Sequence, residues 1–175
     1  MIICIFLGYF FVAYIMHSFV EWGFHIWMDK YEPKHKNHHK SEDEGLYVNV
    51  TGKKTVLGFV IPSLLLMLVY NLIFPRLNMI IPISIHLIIM LYSITTWNTL
   101  HGYMHGKDCS KESFWVTSGL CLGNNTTNTL LNTFPYLNFI IENHTTHHET
   151  GSSNYTMVLP FADFIMGTYQ KLSKD

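Results

Sequence analysis

Nine of the eleven histidines fall into four groups: His25; His35, His38 and His39; His101 and His105; and His144, His147 and His148. Two of the groups share the spacing HxxHH, in His35-Lys36-Asn37-His38-His39 and His144-Thr145-Thr146-His147-His148. Neutral imidazole is the commonest nitrogen ligand for zinc, iron, copper and nickel. Side chains three or four residues apart on a helix point to one side, so each HxxHH, and the HxxxH of His101 and His105, is expected to offer two ligands to one ion. Nine imidazoles exceed what one ion can hold, which predicts two ions. Zinc has no redox chemistry, whereas iron sites built from nitrogen and oxygen donors, with open positions, activate O2.

The remaining chemistry-bearing residues are weaker candidates. His17, Glu21, His25 and Asp29 recur every four residues and would form one stripe on a helix. His25 lies nearest the first HxxHH and is expected to be a ligand. Asp29 is a possible carboxylate ligand, and Glu21 and His17 are poorer ones. Carboxylates here have an alternative role as acceptors that orient imidazoles. His101 and His105 have the spacing of a helical zinc-protease pair, but Gly102 stands where HExxH needs its glutamate, which argues against that hydrolase mechanism. His86 is alone among Ile and Leu and reads as a hydrogen-bonded structural histidine.

These residues need elements to bring them together. Charged residues are only 13% of the 175-residue chain and hydrophobic residues 49%. The length predicts a single domain over 1–175, and the net charge of −1 offers no surface for nucleic acid. The charges are absent from three apolar runs, at about 2–20, 55–74 and 79–100. Each approaches the ~20 apolar residues that cross a bilayer as a helix. The expected fold is an all-α integral membrane bundle of about three to four transmembrane or re-entrant helices, capped by a histidine-rich metal site. Between Glu112 and Glu142, Gly and Asn interrupt the apolar pattern and predict a re-entrant or interfacial helical hairpin. If the second and third runs pair, ten of the eleven basic residues, all but Arg76, share a face with every histidine group. The positive-inside rule makes that face cytoplasmic, and the expected location is the endoplasmic reticulum membrane. Cys4, Cys109 and Cys121 form no CxxC and read as packing residues.

Taken in order, His25 to Asp29, HxxHH, HxxxH and HxxHH, interleaved with apolar hairpins, resemble the histidine boxes of the fatty acid hydroxylase and sterol desaturase superfamily. Glu21-Trp22-Gly23-Phe24-His25 is similar to the opening of that family's first box. Asn154-Tyr155-Thr156 and Pro160-Phe161-Ala162-Asp163-Phe164-Ile165-Met166-Gly167-Thr168 are similar to the stretch after its last. The resemblance covers about residues 15–170. It implies a membrane di-iron oxygenase that uses O2 to hydroxylate or desaturate a lipid C–H bond, on a fatty acyl chain or a sterol. Its ligands would be His25, His35, His38, His39, His101, His105, His144, His147 and His148. A lipid substrate from the bilayer and an external electron donor such as cytochrome b5 are implied partners, and zinc is an alternative occupant in purified protein. Departures are specific. Asp29 and Lys30 stand where the family's first box has a second histidine, and the family's Asn-Tyr-Gly is Asn-Tyr-Thr. The stretch between His105 and His144 is longer than usual. The spacing of Asn98, His101 and His105 is also similar to that of plasmanyl-lipid desaturases, and carotenoid hydroxylases belong to the same superfamily. A non-redox, histidine-rich metal transporter is the alternative from another class, although a transporter would place its ligands near the bilayer midplane.

Overall fold

The apolar runs fold as helices, and no strand occurs among the described residues of this computed structural model, which are 2–41, 53, 56–75 and 78–171. Helix α1 spans Ile2–Tyr31 and α2 Pro33–Ser41. A π-helical turn at Val56–Val60 runs into α3, Ile61–Ile73, and α4 spans Ile80–Met104. The short α5, Phe114–Thr117, precedes α6, Asn124–Thr133, and α7, Pro135–Thr150. The tail ends in α8, Phe161–Met166. Lys54, Arg76, Lys174, the acidic run Glu42-Asp43-Glu44, which could dock an electron donor, and the Asn49-Val50-Thr51 glycosylation signal lie outside the described residues.

Two helices, Ile3–Tyr31 and Ile80–Met104, are long and apolar enough to cross a membrane. The third apolar stretch, Leu57–Ile73, is shorter; at 1.5 Å per residue it reaches about 25 Å, less than the ~30 Å hydrocarbon core. The first helix also extends well past the expected limit near residue 20. It keeps its axis through the polar stripe to Tyr31, so His25 and Asp29 stand on the same rod as the apolar segment.

These helices bury an apolar core that includes Ala13, Tyr70, Ile85 and Ile89, and also expose apolar side chains. Leu7 and Phe11 on α1, Leu64, Leu65, Leu68 and Leu72 on α3, and Leu87, Ile88 and Leu91 on α4 are exposed. Histidines 17, 25, 86 and 101 on the same helices are buried. Exposed apolar area of this kind is found where a protein meets a membrane or another protein.

The stretch after α4 folds back on it. Asn98 Nδ2 donates to the carbonyls of Thr117 and Leu120, and Leu122 N–H donates to Thr99 Oγ1. The expected helical hairpin is present as α6 and α7. They meet at Phe134, where extended backbone leads into Pro135 at the first helical turn, a position that needs no N–H. This hairpin returns the chain to α4 with His144 and His148 facing it, while His147 faces α1.

Candidate metal centre

Three local signals bring the histidines together. Glu32 N–H bonds Met28 C=O at 2.9 Å to close α1, and Pro33 then starts α2, which folds back along α1. His101 lies on the last turn of α4 and His105 is its C-cap. Gly151 ends α7 in the left-handed conformation (φ 62°), with its N–H on His147 C=O at 2.7 Å. Glycine takes that conformation without a Cβ penalty. The turn places Ser153 C=O 2.7 Å from His147 Nδ1.

All nine clustered histidines and Asp29 meet in one region, in two adjacent groups. The ligand atoms of His25, Asp29, His35, His39 and His147 lie within 4.8 Å of one another. Those of His38, His101, His105 and His148 do the same. His144 Nε2 stands 3.1 Å from His148 Nε2, and its ring is 4.8 Å from that of His101, so it borders the second group. Stacked rings of His39 and His148, 4.5 Å apart, join the groups.

Each HxxHH serves both groups: the first box offers the expected pair, His35 and His39, to one group and a third histidine to the other. His35 and His39 belong to the first group and His38 to the second. His147 belongs to the first and His148 to the second. The reason is helical: residues i and i+4 share a face, whereas consecutive residues diverge by about 100°. A box with both i+3 and i+4 occupied faces two ions at once. His101 and His105, with no third histidine, serve one group.

The residues present fit metal ions on three observations. Asp29 is the centre of the first group: Oδ1 lies 3.0 Å from His35 Nε2, 3.4 Å from His39 Nε2 and 4.0 Å from His25 Nε2, and Oδ2 lies 3.7 Å from His147 Nε2. Ring nitrogens also face one another, at 3.3 Å for His35 and His39, 2.9 Å for His38 and His101, and 3.1 Å for His144 and His148. Donors about 2.1 Å from a shared ion stand roughly 3.0–3.4 Å apart along the edges of an octahedron or tetrahedron. Finally, both ring nitrogens of His25 and Nε2 of His147 are buried with no hydrogen-bond partner. In His147 the bond to Ser153 C=O makes Nδ1 the protonated nitrogen, so the Nε2 lone pair points at the group. That is how a protein orients a metal-bound imidazole.

Burial also keeps these rings neutral. It pushes His38 down to about 3, His147 to about 4 and His148 to about 2, and His144 well below the ordinary 6.5. Neighbouring imidazoles push His38, His144 and His148 further in the same direction. At neutral pH their lone pairs are free to bind a cation.

Four residues with a supporting role were misjudged or missed in the sequence. Glu21 takes part in no metal group: its carboxylate accepts the N–H groups of Met157, Val158 and Leu159 at 2.9–3.1 Å. Ser18 accepts from Ala162 N–H and donates to Leu159 C=O. Asp163, fully buried, accepts from the N–H groups of Tyr155 and Thr156 and the hydroxyls of Thr156 and Thr168. Tyr155, thus held, packs its ring 5.4 Å from His147 and 6.3 Å from His25. The tail is a strap that fastens α7, carrying His147, to α1, carrying His25. Only the tail motif signalled it. His17 and His86 lie outside the site, joined at 3.0 Å, with His86 Nε2 2.7 Å from Tyr9 OH. The reading of His86 as a hydrogen-bonded histidine agrees with this geometry.

Comparisons with protein-family models, with curated proteins and with solved structures find no match for this chain.

Proposed function

We propose that this chain is a membrane di-iron oxidoreductase that uses O2 to hydroxylate or desaturate a C–H bond of a lipid, an acyl chain or a sterol. The observation that carries the reading is the convergence of nine imidazoles and one carboxylate into two touching donor groups. The donors are nitrogen and oxygen, with no thiolate among them, which suits iron better than structural zinc. With two irons bound, such a site supplies the reduction of O2.

The chain's own residues do the rest. Asp29 and the imidazoles would hold the two ions. Ser153 C=O and the strap from Asn154 to Asp163 hold the orientation of His147 and His25. His25 also lines a cavity that is otherwise almost wholly apolar, formed by α1, α4 and the π-helical turn. This is where an apolar chain can approach the centre with water excluded. Hydroxylation places one oxygen atom in the product and sends the other to water, consuming two electrons and two protons. Desaturation takes two hydrogens from the substrate and sends both oxygen atoms to water, with two further electrons and two protons from outside. The chain has no flavin or haem motif, so the electrons come from an external donor such as cytochrome b5.

In this reading α1 and α4 cross the membrane, α3 is a shorter third span, and the histidine centre caps the cytoplasmic face in the endoplasmic reticulum. Glycosylation at Asn124 or Asn125 would overturn that orientation. The sequons at Asn143 and Asn154 are no test, because both side chains are buried and bonded to backbone, at Thr156 and Gln170. The decisive experiment is lipid mass spectrometry of cells expressing the chain, against a His147→Ala control. A lipid that gains one oxygen atom means hydroxylation, and one that loses two hydrogen atoms means desaturation. No difference between the two cultures refutes the enzyme.

A further inference from the structure

Two short helices from different parts of the chain present the same kind of surface. Helix α5 exposes Phe114, Trp115 and Val116, at 64%, 82% and 39%, and buries Thr117. Helix α8 exposes Phe164, Ile165 and Met166, at 53%, 61% and 47%, and buries Ala162 and Asp163. None of the six exposed residues belongs to a histidine group or lines the cavity beside His25. A run of consecutive exposed apolar side chains is disfavoured in water unless it has a contact to make.

The anchoring of the two helices decides what they can meet. After Met104 the chain turns back, and the carbonyls of Thr117 and Leu120 accept from Asn98 Nδ2 at 3.4 and 3.2 Å. Asn98 is three residues before His101, about 4–5 Å along the helix axis towards the apolar part of α4. Helix α8 is held by Ser18: Ala162 N–H donates to Ser18 Oγ at 2.8 Å, and Ser18 donates to Leu159 C=O. Ser18 is seven residues before His25, about 10 Å towards the apolar part of α1. Both short helices therefore sit on the side of the histidine centre from which the long apolar helices run.

The opposite side is polar. Lys107, Ser110, Lys111 and Glu112 after α4, and Glu149 and Ser152 at the end of α7, are exposed. On these elements the exposed surface changes from polar to apolar across the level of the histidines. On its apolar side α5 and α8 join the exposed Leu7 and Phe11 of α1 and Leu87, Ile88 and Leu91 of α4. Tryptophan and phenylalanine at such a change of polarity suit the boundary between lipid headgroups and acyl chains. The two anchor levels differ by about 6 Å, within the roughly 5–10 Å that interfacial elements sink into that boundary. One planar lipid surface thus meets both patches at once, although they belong to separate segments of the chain.

We infer that α5 and α8 form a collar seated in the headgroup–acyl boundary of the bilayer, on the side of the membrane that carries the metal centre. The inference rests on the membrane placement in the proposed function and extends it. The occupant of both patches is lipid, not a second protein. The collar fixes the depth of the histidine centre, so that an acyl chain reaches it without leaving the bilayer.

The test uses the full chain in phosphatidylcholine vesicles, with and without lipid brominated near the headgroup end of its acyl chains, which quenches tryptophan at that depth. The emission of Trp115 is read as the difference between the wild-type chain and Trp115→Phe. Ile165→Trp and, as a control on the polar side, Glu149→Trp are read on the Trp115→Phe background. Brominated lipid is expected to remove most of the emission of Trp115 and of the tryptophan in Ile165→Trp, and little of that in Glu149→Trp. Aqueous acrylamide should do the reverse. Quenching of either collar position by acrylamide and not by lipid, protection of either from both quenchers, or equal lipid quenching at all three positions overturns the collar. Alkaline extraction of the same vesicles tests the spans separately. If the chain resists extraction and a collar position escapes lipid quenching, the collar falls and the spans stand. If the chain is extracted although both positions were quenched beforehand, the spans fall and the collar stands as a peripheral contact.

Discussion

Two groups of buried histidines lie on the same long helices and have opposite surroundings. His17 and His86 are nearly as inaccessible as His25 and His101. The first pair is closed by protein partners: His86 uses one ring nitrogen on Tyr9 OH and the other on His17, whose Nε2 also meets Ser63 Oγ at 3.3 Å while its Nδ1 has no partner. The second is open: ring nitrogens of several histidines converge on one another and on Asp29. Ten buried donors that face each other form a set that could hold a metal ion. Burial of a histidine is therefore uninformative here; the convergence of its lone pair with others separates a ligand from a helix-locking polar contact.

The largest expected effect breaks the comparison directly. His147→Ala and His38→Ala each remove a ligand from one group and should abolish lipid product, with metal content falling from about two ions per chain towards one. His86→Phe should leave both readouts intact. Metal analysis of purified protein together with product mass spectrometry checks this. If His86→Phe and His147→Ala behave alike, the division into open and closed groups is wrong.

Metal removal comes next. A ligand at about a thousand times its Kd stabilises the folded chain by about 4 kcal/mol, so stripping two ions with a chelator should lower the unfolding midpoint clearly. Adding back ferrous iron should restore it. The same treatment of a His38→Ala, His147→Ala double variant should produce little shift. An unchanged midpoint in the wild-type chain would mean that the converging donors hold no ion.

Much of this was legible in the sequence, for reasons the two regions make plain. All nine ligand candidates converge as expected, because histidine clustering at i, i+3 and i+4 reports a shared helical face directly. Asp29 joins them because the four-residue stripe on α1 keeps one face to its end. The division of each HxxHH between two groups was not foreseen, since spacing alone says which residues are neighbours and not which ion each faces. The role of Glu21 was missed for a related reason. It lies on the same stripe as His25, but its partners are backbone N–H groups of the strap, more than 130 residues away in the chain, and backbone donors leave no trace in residue types. The third span is not confirmed: Leu57–Ile73 is shorter than the other two apolar helices, because Pro62 follows a π-helical turn and the regular helix begins only at Ile61.

A smaller effect sharpens the comparison within the open group. Asp29→Asn keeps the shape and an oxygen donor but removes the charge that faces four imidazoles. Affinity for one ion should fall on the order of 10- to 100-fold, the scale associated even with partners outside the coordination sphere, while the ion of the His38 group stays. A titration that resolves two metal sites reads this as one weakened and one unchanged. Loss of both ions together would show that the groups act as a single site.

The smallest effect belongs to the closed group. Tyr9→Phe deletes the hydroxyl that meets His86 Nε2 and leaves the ring, which packs 4.7 Å from Tyr70. One buried imidazole nitrogen then loses its partner, which costs roughly 1–3 kcal/mol of stability. Because the Tyr9–His86–His17–Ser63 set ties α1, α3 and α4 together and contributes no ligand, two ions and normal product should persist below the lowered unfolding midpoint. Thermal unfolding with and without iron separates the possibilities. An equal drop in both states is expected of a contact that locks helices, whereas a drop that iron reverses would mean that the closed group communicates with the open one.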